Sequence, residues 1–306
     1  MAEFSVNILG CGSATPSLRH LPSSQVVNHE GRLFMIDCGE GSQLQLRRMK
    51  IGFSKLRHIF ISHLHGDHFL GLPGLLSTLA LHDIGGEVHV YMFEDGIRWI
   101  KEYERISRHQ ASLDVVYHPV ERENAVVYED TRLTVETFPL HHGVPCVGYI
   151  FREKDRLRKL RGDMVEFYNV PVYRRAEIKE GADFVTPDGL VIPNSRLTLD
   201  PDPAASYAYC SDTVYHQGVI EAVRGVGTIY HEATYADDKQ RQARDRGHST
   251  ARQAAMVARE AGARKLILGH FSKSYPDEAV HLREAQEEFS NVVVANEGMK
   301  IPITAK

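Results

Sequence analysis

The chain has little with which to be stapled, anchored or steered. Only four cysteines occur, Cys11, Cys38, Cys146 and Cys210, and no two form a CxxC pair. Cysteines so scattered disfavour a thiolate metal site and suit reduced thiols in a cytoplasmic protein, while their even number leaves disulfides open. No apolar run approaches the roughly 18 residues of a membrane helix, so no membrane partner is expected. The opening stretch, MAEFSVNILG, lacks the basic and apolar segments of a secretory leader. Net charge is only −4, so a polyanionic partner would have to be held by a local patch. Apolar residues are not scarce. At 42% hydrophobic and 25% charged, the 306 residues have ordinary globular composition. A chain of this length can bury roughly 75% of its unfolded surface, in one large domain or two small ones.

What is abundant is histidine, with 17 copies. Histidine is the commonest metal ligand, so where these residues fall decides the reading. Short apolar runs alternate with amphipathic stretches. Residues 4–10, 32–39, 56–62 and the run EVHVYMF read as strands. Residues 42–49, 69–82 and 94 to about Arg108 read as helices, with Pro73 tolerated in a first turn. VVYHPV, AVVYE, RLTVETFPL, CVGYIF, SYAYCSD, GTIYHEA, ARKLILGH and NVVVAN continue the strand pattern. Helices follow near 249–262 and 277–289. Such alternation predicts an α/β sandwich of two sheets with helices packed outside. Residues 152–205 break the pattern: they are charged, loop-rich and poor in apolar runs, and read as an inserted arm.

The sharpest signal is ISHLHGDH, which places His63, His65, Asp67 and His68 behind an apolar strand. Alternation would put His63 and His65 on one face, and Gly66 permits a turn that returns Asp67 and His68 to the same point. Four ligands in six residues suffice to begin two metal sites. The remaining donors should stand at the ends of other strands, where α/β sheets assemble their sites. His141 or His142, Asp212, Glu232 and His270 all do. Imidazole and carboxylate without thiolate suits zinc, with manganese or iron as alternatives. Asp212 has the chemistry to bridge two cations. Two metal ions would supply hydroxide near neutral pH, making a protein nucleophile unnecessary for hydrolysis.

With these residues in place, the chain resembles the metallo-β-lactamase superfamily and, within it, the ribonuclease Z family of tRNA 3′-processing endonucleases. The resemblance runs along nearly the whole chain. It rests on HLHGDH (63–68), HHGVPCVGY (141–149), SDT (211–213), GHFS (269–272) and, more narrowly, HEATY (231–235) with GHST (247–250). It implies an αββα sandwich spanning 1–306, with an inserted tRNA-binding arm at about 152–205. It selects His142 over His141 and implies a ligand set of His63, His65, Asp67, His68, His142, Asp212 and His270 for two zinc ions per subunit. Asp67, Glu232 and His248 are implied as catalytic, with His248 either protonating the leaving 3′-oxygen or stabilising charge on the phosphate, and Glu232 orienting it. A proton donor at an alkoxide leaving group is worth about 10²–10⁴ in rate. The product would be a tRNA 3′-hydroxyl and a trailer 5′-phosphate. A homodimer is also implied.

The arm begins with REKDRLRKLR, six Lys/Arg against two Asp/Glu. Arg156, Arg158, Lys159 and Arg161 are therefore candidate phosphate contacts, with Arg19 and Lys273 near the other motifs. Departures from the family pattern are visible: the usual glycine–proline element is missing from the arm, PSLRHL (16–21) replaces a PxKxRN-like loop, and Ser274 stands where arginine is common. GCGSATPS (10–17) lacks a nucleotide-loop signature and reads as a turn at the rim, with Thr15 or Ser17 near the RNA end. Two other functions remain open at this point. One is a small-molecule phosphodiesterase of the same fold, acting for example on cyclic nucleotides. The other is a non-catalytic RNA-binding module.

Overall fold

The computed structural model describes residues 3–82, 85–107, 113–303 and 305. These form two compact units, one from the chain up to Arg152 and from Ala205 onward, the other Glu153–Ala204.

Two seven-stranded sheets make the larger unit. The first runs, in spatial order, Lys300–Pro302, Phe4–Gly10, Ser24–His29, Arg32–Cys38, Leu56–Phe60, Glu87–Met92 and Asp114–Pro119. The second runs Val292–Val294, Lys265–Gly269, Thr228–Glu232, Ser206–Cys210, Cys146–Glu153, Leu133–Leu140 and Ala125–Glu129. Side-chain alternation divides each central strand between two layers. Phe34 and Phe60 of the first sheet meet Tyr149 and Phe151 of the second, with ring centroids 5.3–5.9 Å apart. The neighbouring positions Met35, Ile59 and Val90 turn the other way and pack with Leu72, Leu75, Leu79, Ile97 and Ile100 of two helices. The second sheet is covered by Ala251–Glu260, whose Ala254, Ala255, Val257 and Ala258 are buried. A capping box between Thr250 and Gln253 starts that helix. This is the expected αββα sandwich.

Several local readings shift. The strand expected over 56–62 stops at Phe60, three residues before His63, so His63 and His65 sit on a loop rather than on a strand face. The helix expected over 69–82 is two, Gly66–Phe69 and Leu72–Leu81, with Pro73 in the first turn of the second. Gly71 lies at the break, where an added Cβ would fall 2.2 Å from the Gly39 carbonyl oxygen. The expected end of the next helix at Arg108 lies outside the described residues. Strand Ser24–His29 has no apolar run to announce it; Ser24, Gln25 and His29 are nevertheless buried. No helix among the described residues is long and apolar enough to cross a membrane. All four cysteines are free and buried.

In both sheets the parallel strands end at one edge. Asp37, the loop from Ser62, Asp212, Glu232 and His270 all follow or close such strands.

The smaller unit is better organised than its composition predicts. Val165, Val170, Ile178, Phe184, Ile192 and Leu197 form its own apolar core. Two short antiparallel pairs, Lys159–Leu160 with Thr198–Leu199 and Phe184–Val185 with Val191–Ile192, frame it. Asn194 ties its turns together, its amide donating to the carbonyls of Ile178 and Ala182 at 2.6 and 2.8 Å.

Candidate active site and metal centre

The seven expected ligands converge, and Asp212 divides them. Its Oδ2 lies 3.7 Å from His63 Nε2 and 3.6 Å from His142 Nε2. His65 Nδ1 completes that group, 3.2 Å from His63 Nε2 and 3.1 Å from His142 Nε2. Asp212 Oδ1 lies 3.5 Å from His68 Nε2 and 3.3 Å from His270 Nε2. Asp67 Oδ2 completes the second group, 3.6 Å from His68 Nε2 and 3.3 Å from His270 Nε2. Each group thus presents four donor atoms from four residues, and the two share one carboxylate.

These distances suit a cation. A tetrahedral ion with bonds of about 2.0–2.2 Å has donor–donor edges of about 3.3–3.6 Å. Asp212 Oδ1 is buried and accepts no hydrogen bond, an expensive state for a carboxylate oxygen unless a cation faces it. Electrostatics agree. Burial and the neighbouring imidazoles hold His63 well below its ordinary pKa, so it is neutral and free to ligate. At His68 burial opposes protonation, but Asp212, Asp67 and Asp37 outweigh it and raise the pKa to about 10. Carboxylates that draw a proton there would draw a metal cation equally. Cys146 Sγ sits 3.7 Å from His63 Nδ1, but burial raises its pKa well above the thiol range, so it backs the ligand as a neutral thiol.

The candidate ligands are aimed by their other ring atoms. His68 Nδ1 donates to Asp37 Oδ2 at 2.7 Å. His142 Nδ1 donates to the Gly247 carbonyl at 2.8 Å. Gly247 has φ +75°, and a Cβ there would come within 2.8 Å of His142 Nδ1, so only glycine fits. His270 Nδ1 donates to Thr234 Oγ1 at 2.8 Å. Ala14 N donates to Asp67 Oδ2 at 2.6 Å, tying the rim loop to the second group. Asp37 and His270 both adopt left-handed backbone, φ +55° and +61°, a strain of about 1–3 kcal/mol each that surrounding bonds must hold.

Glu232 and His248 stand beside the second group. Glu232 closes its strand fully buried, and its Oε1 accepts from His248 Nδ1 at 3.0 Å, Ser249 N at 2.9 Å and Thr213 N at 3.2 Å. Its Oε2 accepts from the Thr234 amide and hydroxyl at 2.9 and 2.8 Å. Burial favours the neutral acid, but the His248 charge and these bonds keep Glu232 anionic. Burial likewise opposes a charge on His248; Glu232 and then Asp212 overcome it and raise its pKa to about 9. His248 is therefore a cation held by its Nδ1, with its Nε2 left for the cleft.

That cleft has a volume of about 630 Å³. Ser13, Ala14 and Thr15 form one rim, and Tyr235, Arg246, Ser272 and Lys273 also line it. Other expected residues lie elsewhere. Ser17 turns back to His20, and His141 stacks on His216 at 3.8 Å. Arg19 pairs with Glu278 at 2.9 Å. In the smaller unit Arg156 pairs with Glu153, Arg158 with Asp200, Lys159 with Asp202 and Arg161 with Asp163, at 2.6–3.2 Å. Sequence reasoning passed over Asp37, Thr234, Gly247 and Arg246. Asp37 had a signal, an acidic residue at the end of an otherwise apolar strand.

Comparison with known proteins follows the same lines. The chain is 47% identical to "Ribonuclease Z" of Bacteroides fragilis strain YCH46, over 99% of this chain and 100% of that protein. "Ribonuclease Z" of Porphyromonas gingivalis strain W83 is 46% identical, over 99% and 100%. The chain belongs to the ribonuclease Z family. The human short-form tRNase Z structure superposes with a TM-score of 0.72 at 25% identity, covering 97% of this chain and 98% of that one. The metallo-β-lactamase fold protein YhfI of Bacillus subtilis, at 17% identity and TM-score 0.69 over 98% and 99%, shows the shared fold. A family model described as "Anti-Pycsar protein Apyc1" matches residues 4–164. That match takes in His63–His68 and His142 and stops short of Asp212, Glu232, His248 and His270, whereas the ribonuclease Z relatives span them all.

Proposed function

We propose that the chain is a two-metal endoribonuclease that removes the 3′ trailer from precursor tRNA. The observation that carries this is Asp212, whose two oxygens face two four-donor groups in a cleft that also holds the Glu232–His248 pair. Full-length likeness to ribonuclease Z supports the substrate.

His63, His65, His142 and Asp212 would hold one divalent ion, and Asp67, His68, His270 and Asp212 the other, with zinc as the ion their nitrogen and oxygen donors suit. Such a pair supplies activated water near neutral pH and neutralises charge building on a phosphoryl group. The protein's own residues do the rest. Asp67 accepts hydrogen bonds at the cleft floor and helps orient the attacking water. His248, charged and held against Glu232, donates its proton to the departing 3′-oxygen. Thr234 Oγ1 donates to Glu232 and accepts from His248 and His270, so one hydroxyl fixes both rings. The outcome is a 3′-hydroxyl on the tRNA and a 5′-phosphate on the trailer.

The unit 153–204 is the proposed tRNA-binding arm. Its cations would exchange carboxylate partners for phosphates. Exposed ion pairs are worth about 0–1 kcal/mol, so that exchange costs little. Lys273 is proposed to meet RNA at the cleft itself, and Arg19 at the rim only by leaving Glu278. We further propose a cytoplasmic homodimer. The test is cleavage of a trailer-bearing precursor tRNA beside a small chromogenic phosphodiester, with RNA ends mapped. One cut after the discriminator base, abolished by a chelator, supports the reading. Diester turnover without RNA cleavage would move the assignment to the small-molecule phosphodiesterase.

A further inference from the structure

Beside the charged His248, the cleft is lined by one lysine and one arginine, Lys273 and Arg246. Arg246 stands apart from most arginines of the chain. Arg252 binds Asp237, Glu287 and Glu288, Arg259 binds Glu288, and Arg19 binds Glu278. Among the described residues no carboxylate lies within ion-pair distance of Arg246. The residue is exposed. It is nevertheless held: Nη1 donates to the Tyr235 hydroxyl at 3.2 Å. Tyr235 is itself buried, and its ring edge meets the His248 ring with centroids 6.1 Å apart. Gln242 Nε2 donates to the same hydroxyl at 3.5 Å. One buried tyrosine therefore braces both the proposed proton donor and an unpaired guanidinium two residues before it. A guanidinium with free donors, facing a cleft that must take a polyanion, has phosphate as its natural ligand.

We infer that Arg246 binds the phosphate next to the scissile one on the leaving-group side, and so holds the end of the tRNA product. The side follows from His248. That ring donates to the 3′-oxygen that departs with the tRNA, and Arg246 shares its flank of the cleft. The inference rests on the reading of His248 under Proposed function. Tyr235 is the positioning residue, acting through Arg246.

The test uses the zinc-loaded full chain and precursor tRNA, with R246Q, R246K and Y235F. A phosphate contact on single-stranded RNA contributes about 0.7 to the slope of log affinity against log salt. R246Q is expected to lower kcat/KM about tenfold at low salt, mainly through KM, and to flatten that slope by about 0.7–1. Inhibition by mature tRNA should weaken by the same factor, and inhibition by the free trailer should not. R246K should restore the slope and recover affinity in part, because a lysine keeps the charge but loses the fork. Y235F should lower kcat/KM about threefold with the slope kept. An unchanged slope and unchanged product inhibition in R246Q would overturn the inference. Weakened inhibition by the trailer alone would overturn the assignment of side. Failure of the unsubstituted chain to cut precursor tRNA would instead sink the function reading, which separates the two.

Discussion

Asp37 is the residue whose loss should reveal most about how the site is built. It is fully buried and accepts from four donors: Ser62 N at 2.7 Å, Ser62 Oγ at 2.9 Å, His68 Nδ1 at 2.7 Å and Tyr209 OH at 2.7 Å. Asp37→Asn keeps shape and one oxygen, and asparagine tolerates the left-handed backbone found here. The change converts one acceptor into an NH₂ donor. If the amide oxygen stays on Ser62 N, its NH₂ faces the His68 and Tyr209 donors that Oδ2 had satisfied. Each stranded buried donor costs about 1–3 kcal/mol, so a destabilisation of about 3 kcal/mol is expected. The His68 ring also loses the bond that fixes its Nδ1–H tautomer. Outer-sphere losses of this kind cost about 10–100-fold in metal affinity. The assay is a zinc competition titration with a coloured chelator, beside thermal unfolding of the metal-free chain. One of the two zinc equivalents should weaken by that factor, the one held with His270 and Asp67, while the other changes little. Two equivalents of unaltered affinity in a folded D37N chain would refute the claim that Asp37 aims His68.

Other consequences follow from the same geometry. E232Q removes the charge that, with Asp212, lifts His248 to a pKa of about 9. The alkaline limb of the pH–rate profile, where the proton donor is lost, should move to lower pH, and kcat should fall about 10²–10⁴-fold in H248A; an unmoved limb counts against His248 as the acid. His20, buried between Glu297 and Glu278 at 3.0 and 3.1 Å, is raised above its ordinary value because those hydrogen bonds overcome burial. Its stabilising contribution is therefore complete below about pH 6.5 and is lost as pH rises through the raised folded value. H20Q should accordingly lose more melting temperature at pH 6 than at pH 9, and equal losses would contradict this. T234V should loosen His248 and His270 together, lowering both kcat and the affinity of one metal; an effect on kcat alone would show that Thr234 does not orient His270. Replacing residues 155–200 with a short linker should spare small-diester turnover and abolish tRNA cutting, measured side by side on folded protein.

Much of this site was legible because metal chemistry leaves local marks. HLHGDH declares itself in six residues, and Asp212 and His270 stand directly behind apolar runs. The division of labour was not legible. Which donors share an ion depends on which strand ends lie side by side, and that is a property of two sheets rather than of any motif. Ser24–His29 was missed because buried polar residues interrupt its apolar pattern, Ser24 Oγ donating to the Asp37 carbonyl at 3.0 Å. Thr234 looked like an ordinary residue within HEATY, because its three partners come from positions 232, 248 and 270. In residues 153–204 the pairing of the cations could not be read from a charge count. REKDRLRKLR has a surplus of cations in sequence, yet Asp163, Asp200 and Asp202 come from elsewhere in the unit to pair with three of them.

The measurement that bears most directly on the whole account is cleavage of precursor tRNA in water enriched in heavy oxygen, with both products analysed by mass. Attack by water with departure of the 3′-oxygen places the label in the 5′-phosphate of the trailer and leaves the tRNA with an unlabelled 3′-hydroxyl. Label on the tRNA side, or a cyclic phosphate at its 3′ end, would contradict the roles given to His248 and to the two donor groups around Asp212.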